Sequence, residues 1–298
     1  MPAKKLILLL TAFLLMVGLL LSTFLVQPVR SYQVEPTFTP TPADGLEGQL
    51  QQIPIMPVVN DHVREIYAQG QALGNNPQVF SKIGDCNSAD PDFLTLIDTG
   101  NYDLGAYSYL QDTVDFFAGS FNRPSHTAHG GFNFTAIVDP FVSDPTVCQP
   151  DESPLLCEYR LNKSSIAFIM FGSNDLNDLS HERFTLRLEQ IVEDSLAQGV
   201  IPVLSTFTRH RDGFWTKTLE FNMIMVETAE KYDIPLINFW LAAQYLPDYG
   251  LQQDTMHLTK DGYLIQFNGQ ESVGGHDLRN LLVLLVLDQF RTELGMEE

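Results

Sequence analysis

Short apolar runs alternate with longer amphipathic stretches through most of this chain. Val79–Gly84 reads as a strand ending at Gly84-Asp85, and Ser165–Phe171 is a continuous apolar strand ending at Gly172. Val200–Thr206 and Ile234–Phe239 complete a set of at least four strands. Continuous apolar runs fit strands buried on both faces, as in a parallel sheet covered by helices. Between them, His181–Gln198 places Phe184, Leu186, Leu188, Ile191, Val192 and Leu196 largely on one side, and Gly199 follows as a stop. Leu219–Tyr232 and Leu278–Leu294 have the same character. The alternation predicts one α/β domain, a three-layer α/β/α sandwich with a mainly parallel, doubly wound, flavodoxin-like sheet. Sites in such folds form at the carboxyl ends of strands, a rule that selects Asp85-Cys86 and Gly172–Asp175.

The N-terminal segment breaks this pattern. Lys4 and Lys5 precede an almost unbroken apolar run, Leu6–Val26, with no polar face. About 20 such residues cross a hydrocarbon core of roughly 30 Å. The lysines predict a cytoplasmic N-terminus and an exported body. The run is longer than a signal-peptide core and no small-x-small cleavage site follows, so an uncleaved anchor is preferred to a cleaved signal peptide. No Cys lies near the N-terminus, which removes the usual bacterial lipoprotein acylation site. The Pro/Thr-rich stretch Glu35–Pro42 favours extended polyproline II and reads as a tether. The expected organisation is a signal anchor or signal peptide over 1–26, a linker over 27–50 and the folded domain over 51–298. The protein is then membrane-anchored and extracytoplasmic, or secreted if the leader is cut.

Composition adds two constraints. With 17 Lys plus Arg against 37 Asp plus Glu, the net charge is −20, which repels nucleic acid and anionic lipid heads. In an oxidising compartment the three cysteines, Cys86, Cys148 and Cys157, leave one thiol over. Cys148 and Cys157 flank a turn-rich stretch, Gln149–Pro154, and a disulfide between them is preferred to three buried thiols. That pairing would leave Cys86 free.

Three short motifs stand in order: Gly84-Asp85-Cys86-Asn87-Ser88, Gly172-Ser173-Asn174-Asp175 and Asp254-Thr255-Met256-His257. Each alone is weak, since a Gly-Asp pair is usually a turn and Asp-x-x-His often starts a helix. Together, in this order and at strand ends, they resemble the SGNH/GDSL hydrolase family over roughly Phe80 to Tyr263. A looser glycine block, Ala128–Thr135, offers Gly130 or Gly131, with Gly131 favoured. The resemblance implies an ester hydrolase or acyltransferase in which His257 is the general base and Asp254 fixes its tautomer. It also implies an oxyanion site built from the Cys86 N–H, the Gly131 N–H and the Asn174 amide. No cofactor is implied. A small-molecule or glycan ester, such as an O-acylated envelope polysaccharide, is the expected substrate.

The departure is Cys86, which stands where the family has serine. A thiolate is the better nucleophile, but sulfur is larger and would seat an acyl group differently. Three readings stay open: a cysteine hydrolase or acyltransferase, an inactive relative kept for binding or envelope organisation, and a hydrolase using Ser88. His126 and His129 lie three apart but lack a carboxylate or thiol at matching spacing, so no metal is expected. His210 sits on a loop at the same sheet edge, and Trp215 and Trp240 read as packing residues.

Overall fold

The computed structural model describes residues 45–210, 213–260, 264–267 and 274–296, all within the unit Pro42–Glu298. The apolar run Leu6–Val26 and the Pro/Thr-rich stretch lie outside the described residues. Among those described, no helix is long and apolar enough to cross a membrane.

Four parallel strands, β1 (Asn76–Gly84), β2 (Ser164–Met170), β3 (Ile201–Ser205) and β4 (Leu236–Ile237), pair in that order. Every residue of β2 is buried, as the apolar run Ile166–Met170 requires of a strand covered on both faces, and the two serines that open it are buried as well. Register runs from Phe80 opposite Ile166 to Gly84 opposite Met170. The carboxyl ends of β1 and β2 are therefore level, and the two Gly-containing motifs leave the sheet side by side. β4 is shorter than the predicted Ile234–Phe239. Asn238 ends it by turning its side chain onto the Leu241 N–H and the carbonyls of Leu50 and Ile53.

The helices that frame the sheet are α1 (Leu46–Gln52), α2 (Asp61–Ala72), α3 (Cys86–Ala89), α4 (Pro154–Asn162), α5 (His181–Ala197), α6 (Trp215–Tyr232) and α7 (Gly275–Glu293). α5 starts on a Ser180 cap and ends before Gly199, whose φ of +62° supplies the stop read from the sequence. Phe184 of α5 stacks on Phe221 of α6 at 4.0 Å and meets Phe134, which in turn packs on Phe171 after β2. Leu186 instead faces solvent, 60% exposed, because two residues from Phe184 is half a turn around the helix. On the opposite face of the sheet, Leu282 and Val283 of α7 close on Phe168 and Met170, leaving a void of only about 10 Å3. Helices thus cover both faces, giving the α/β/α sandwich.

Candidate active site

The turn after β1 is forced by its packing. A Cβ at Gly84 would lie 2.0 Å from Ser88 Oγ and 2.5 Å from the Met170 carbonyl, so only glycine fits between β2 and α3. Asp85 caps α3, its Oδ1 accepting from the Asn87 N–H at 3.0 Å. It is 1% exposed, and burial pushes its carboxyl up to about 6 against the pull of that N–H and of Arg279. Cys86 follows as the first residue of α3, half-buried, with an N–H that has no place in the intrahelical ladder. Its thiol is free, since Cys148 and Cys157 form a disulfide. Burial, then the Asp85 carboxylate, push the Cys86 thiol up to about 12. Ser88 is 1% exposed, and its hydroxyl accepts from Arg279 Nη2 at 2.8 Å.

The base motif lies in the segment after the turn 247–250. His257 Nδ1 bonds Asp254 Oδ2 at 2.5 Å, while Asp254 Oδ1 accepts from the N–H groups of Met256 and His257, both at 3.0 Å. Burial alone would raise the Asp254 carboxyl, but the hydrogen bonds from His257 and Met256 outweigh it and hold it at about 2. That bond pattern leaves Nε2 as the ring nitrogen available for proton transfer.

Asn87 ties the two motifs together. Its Nδ2 donates to the Met256 carbonyl at 3.2 Å and its Oδ1 accepts from the Leu258 N–H at 2.9 Å, so one amide brackets His257 from both sides. Among the described residues no hydrogen bond joins Cys86 Sγ to His257. The thiol instead donates to Asp85 Oδ1 at 3.9 Å. Beneath the turn, Arg279 of α7 donates to the Asn87 carbonyl at 2.8 Å and lies 3.6 Å over the Phe93 ring. Burial pushes its guanidinium down to about 9, still charged at neutral pH. Neither Asn87 nor Arg279 is singled out by sequence reasoning. Arg279 sits in a helix that reads as amphipathic, and a lone Arg there signals a solvated face.

The glycine block runs beside the end of β1, with the Gly84 N–H donating to the Thr127 carbonyl at 3.0 Å and the His129 N–H to the Gly84 carbonyl at 3.2 Å. Gly131 has φ +87°, and a Cβ added there would meet nothing within 4 Å, so conformation rather than crowding requires glycine. Among the described residues nothing accepts from its N–H. Asn174 donates through Nδ2 to the Phe132 carbonyl at 2.8 Å, which orients the amide and leaves its second hydrogen unspent. Asp175 next to it accepts from the N–H groups of Phe134 and Gly172 at 2.9 and 3.1 Å, locking the second motif to the glycine block. Burial raises its carboxyl to about 7.

The remaining candidates scatter. His126 and His129 are on an irregular segment, not a helix, and His129 Nδ1 bonds the Gly130 carbonyl at 2.7 Å. Among the described residues, the cluster with atoms close enough to share a metal is Cys148, Glu152 and Cys157, whose sulfurs are already joined. His210 is exposed and stacks on Tyr249 at 4.9 Å, and Trp240 is fully buried.

The model of the GDSL-like lipase/acylhydrolase family matches residues 127–265, a span that includes Gly131, Asn174, Asp254 and His257 and begins beyond Cys86. No curated protein matches the chain. Among solved structures, it is similar to the lipase/acylhydrolase of Enterococcus faecalis, at 16% identity over 70% of this chain and 94% of that one, with a TM-score of 0.46. The esterase EstA of Pseudoalteromonas sp. aligns at 15% identity over 71% and 99%, TM-score 0.46. An acetyl xylan esterase of Geobacillus stearothermophilus aligns at 14% identity over 70% and 96%, TM-score 0.43.

Proposed function

We propose that this protein cleaves or transfers acyl groups of esters through Cys86, a reading supported by the match of residues 127–265 to the GDSL-like lipase/acylhydrolase family model. The observation that carries this reading is the Asn87 bridge, which fixes the Asp254–His257 pair to the turn holding the thiol. In the first step His257 Nε2 takes the thiol proton as Sγ bonds to the carbonyl carbon. The charge moves to the carbonyl oxygen, where the N–H groups of Cys86 and Gly131 and the free hydrogen of Asn174 donate to it. One such donor is worth about 3–4 kcal/mol in the transition state. The C–O bond then breaks, His257 returns the proton to the departing alkoxide, and a thioester remains. Water or an acceptor alcohol takes the acyl group and releases the thiol.

A thiol held near 12 is neutral at rest, so this site carries no standing thiolate pair and depends on His257 as attack begins. The same observation, with Sγ turned to Asp85, supports a second reading: a non-catalytic domain that keeps the fold for binding. Export and tethering by the Leu6–Val26 run, with O-acylated envelope glycans as substrate, belong to the first reading and rest on the sequence pattern. Turnover of a short-chain aryl ester, combined with electrophile labelling of Cys86, tests it. Cys86→Ala is expected to lower kcat by on the order of 10⁶-fold, the residual rate over water coming from the oxyanion donors. Wild-type turnover in Cys86→Ala would eliminate the cysteine nucleophile. An inert wild type, on every acyl substrate tried, would select the binding domain.

A further inference from the structure

Beside the glycine block lies a cleft of about 300 Å3, walled on one side by His126, His129 and Phe132 and on the other by Val142, Ser143 and Asp144. Its volume is at the lower end of the roughly 300–1,000 Å3 of small-molecule sites. His129 and Phe132 flank Gly130 and Gly131 directly, and the Phe132 carbonyl is the group that orients Asn174. The wall of the cleft is therefore the same loop that presents the oxyanion donors.

Both walls are fixed in place. The His126 N–H donates to Glu158 Oε2 at 2.8 Å, and Glu158 is 1% exposed. Opposite, the disulfide joins Cys148, itself in the cleft lining, to α4. Arg160 of α4 grips Glu152 through Nε and Nη2 at 2.7 and 2.8 Å and the Val147 carbonyl at 3.0 Å. Ser143 Oγ donates to the Glu152 carbonyl at 2.5 Å. A cavity held this way needs little ordering when a ligand enters.

The lining has a definite chemistry. His129 uses Nδ1 on the Gly130 carbonyl and keeps Nε2 for a ligand. Asp144 uses Oδ1 on the Thr146 N–H and hydroxyl, keeping Oδ2, while Ser143 can still accept. Phe132 supplies an aromatic ring, tilted 38° to the His129 ring at 5.0 Å. No Lys or Arg lines the cleft, and Asp144 disfavours an anion. A carboxylate and neutral donors and acceptors around one aromatic ring, with no cation among them, suit a hydroxylated ring rather than a phosphate or an unbroken hydrocarbon chain.

We infer that this cleft binds a neutral sugar ring, the alcohol part of a glycan ester whose acyl carbon sits at Cys86. The inference rests on the acyl-transfer reading for its role, though sugar binding itself can be measured without turnover. The full-length chain, His126→Ala and Val142→Trp would be compared on 6-O-acetylglucose and p-nitrophenyl acetate. His126 makes its structural bond through the backbone, and Val142 is 41% exposed, so both variants leave the walls standing. The ratio of kcat/KM on the sugar ester to that on the aryl ester is expected to fall at least tenfold in each. Saturation-transfer NMR with methyl β-glucoside should give a signal in wild type that Val142→Trp abolishes. An unchanged ratio with no NMR transfer overturns the inference. If wild type turns over neither ester, the acyl-transfer reading fails, and the NMR signal alone decides whether the cleft takes sugar.

Discussion

The turn carrying Cys86 rests on buried, charged supports, whereas the turn carrying His257 lies near the surface and is tied to the Cys86 turn by one amide, that of Asn87. Under Cys86, Asp85 and Arg279 are both almost fully buried; Asp85 holds the Asn87 N–H, and Arg279 holds the Asn87 carbonyl and the Ser88 hydroxyl. His257 and Asp254 are 40% and 48% exposed, and what aligns them with the thiol is Asn87. A nucleophile must sit still against its oxyanion donors, so its turn is built into the core. A base must accept and then return a proton, and a partly exposed loop leaves its ring room to adjust. On this division, damage on the first side should cost folding, and damage on the second should cost turnover.

The largest effect is expected at Arg279. Arg279→Met keeps the volume and the contact with Phe93 but strips the hydrogen bonds to the Asn87 carbonyl and Ser88 Oγ. It also leaves Asp85 buried without its nearby positive charge. Breaking one member of a buried charge pair costs about 3–5 kcal/mol, read as a shift in the urea midpoint. A loss below about 1 kcal/mol would mean that the core does not carry the Cys86 turn.

Asn87 supplies the opposite test. Asn87→Ala removes two hydrogen bonds, each worth about 1 kcal/mol net, so the protein should stay folded. Loss of alignment between His257 and the thiol should lower kcat/KM by about 10²-fold. The decrease should fall on kcat rather than KM, since Asn87 reaches only the protein's own backbone. Steady-state kinetics beside a thermal melt separate the two. A variant with full kcat would show that the Asp254–His257 pair needs no bridge.

Legibility in the sequence follows the same division. The strands are readable because double-sided burial leaves no polar alternation, and β2, Ser164–Met170, falls within a residue of the predicted run. The Asp254–His257 pair is readable because three residues of separation suffice to form it. Arg279 and Asn87 are not, because their partners lie more than 160 residues away in the chain, and no local pattern encodes such a pairing. Leu186 fails for a different reason: apolar residues two apart cannot share one helix face, so the stripe over 184–196 contains a residue that only looks part of it. The cleft beside Gly131 depends on the disulfide loop folding back over the 126–132 segment, a non-local event as well.

The smallest effect should come from pH, and it reaches the base side through α7. The first residues of α7 hold the segment after His257: the His276 N–H donates to the Thr259 carbonyl at 3.0 Å and the Gly275 N–H to Thr259 Oγ at 2.8 Å. The His276 ring is 2% exposed, and neither of its nitrogens has a hydrogen-bond partner among the described residues. Burial pushes its pKa down, with Asp90 at 3.8 Å pulling the other way and Arg279 adding to the fall. The folded imidazole therefore stays neutral where the unfolded one, with its ordinary value near 6.5, takes a proton. The unfolded state binds more protons there, so stability present at neutral pH is lost as pH falls below about 6.5. At 1.36 kcal/mol per pH unit, the loss from this residue is about 2 kcal/mol at pH 5. Asp85 and Asp175, whose carboxyls are raised, act in the opposite sense over about pH 4 to 7, so the comparison must be made between variants. Urea unfolding of wild type and His276→Phe at pH 7.5 and 5.0 isolates the contribution of His276. His276→Phe should flatten the acid loss by about 2 kcal/mol; an identical pH dependence in the two proteins would place the acid sensitivity elsewhere.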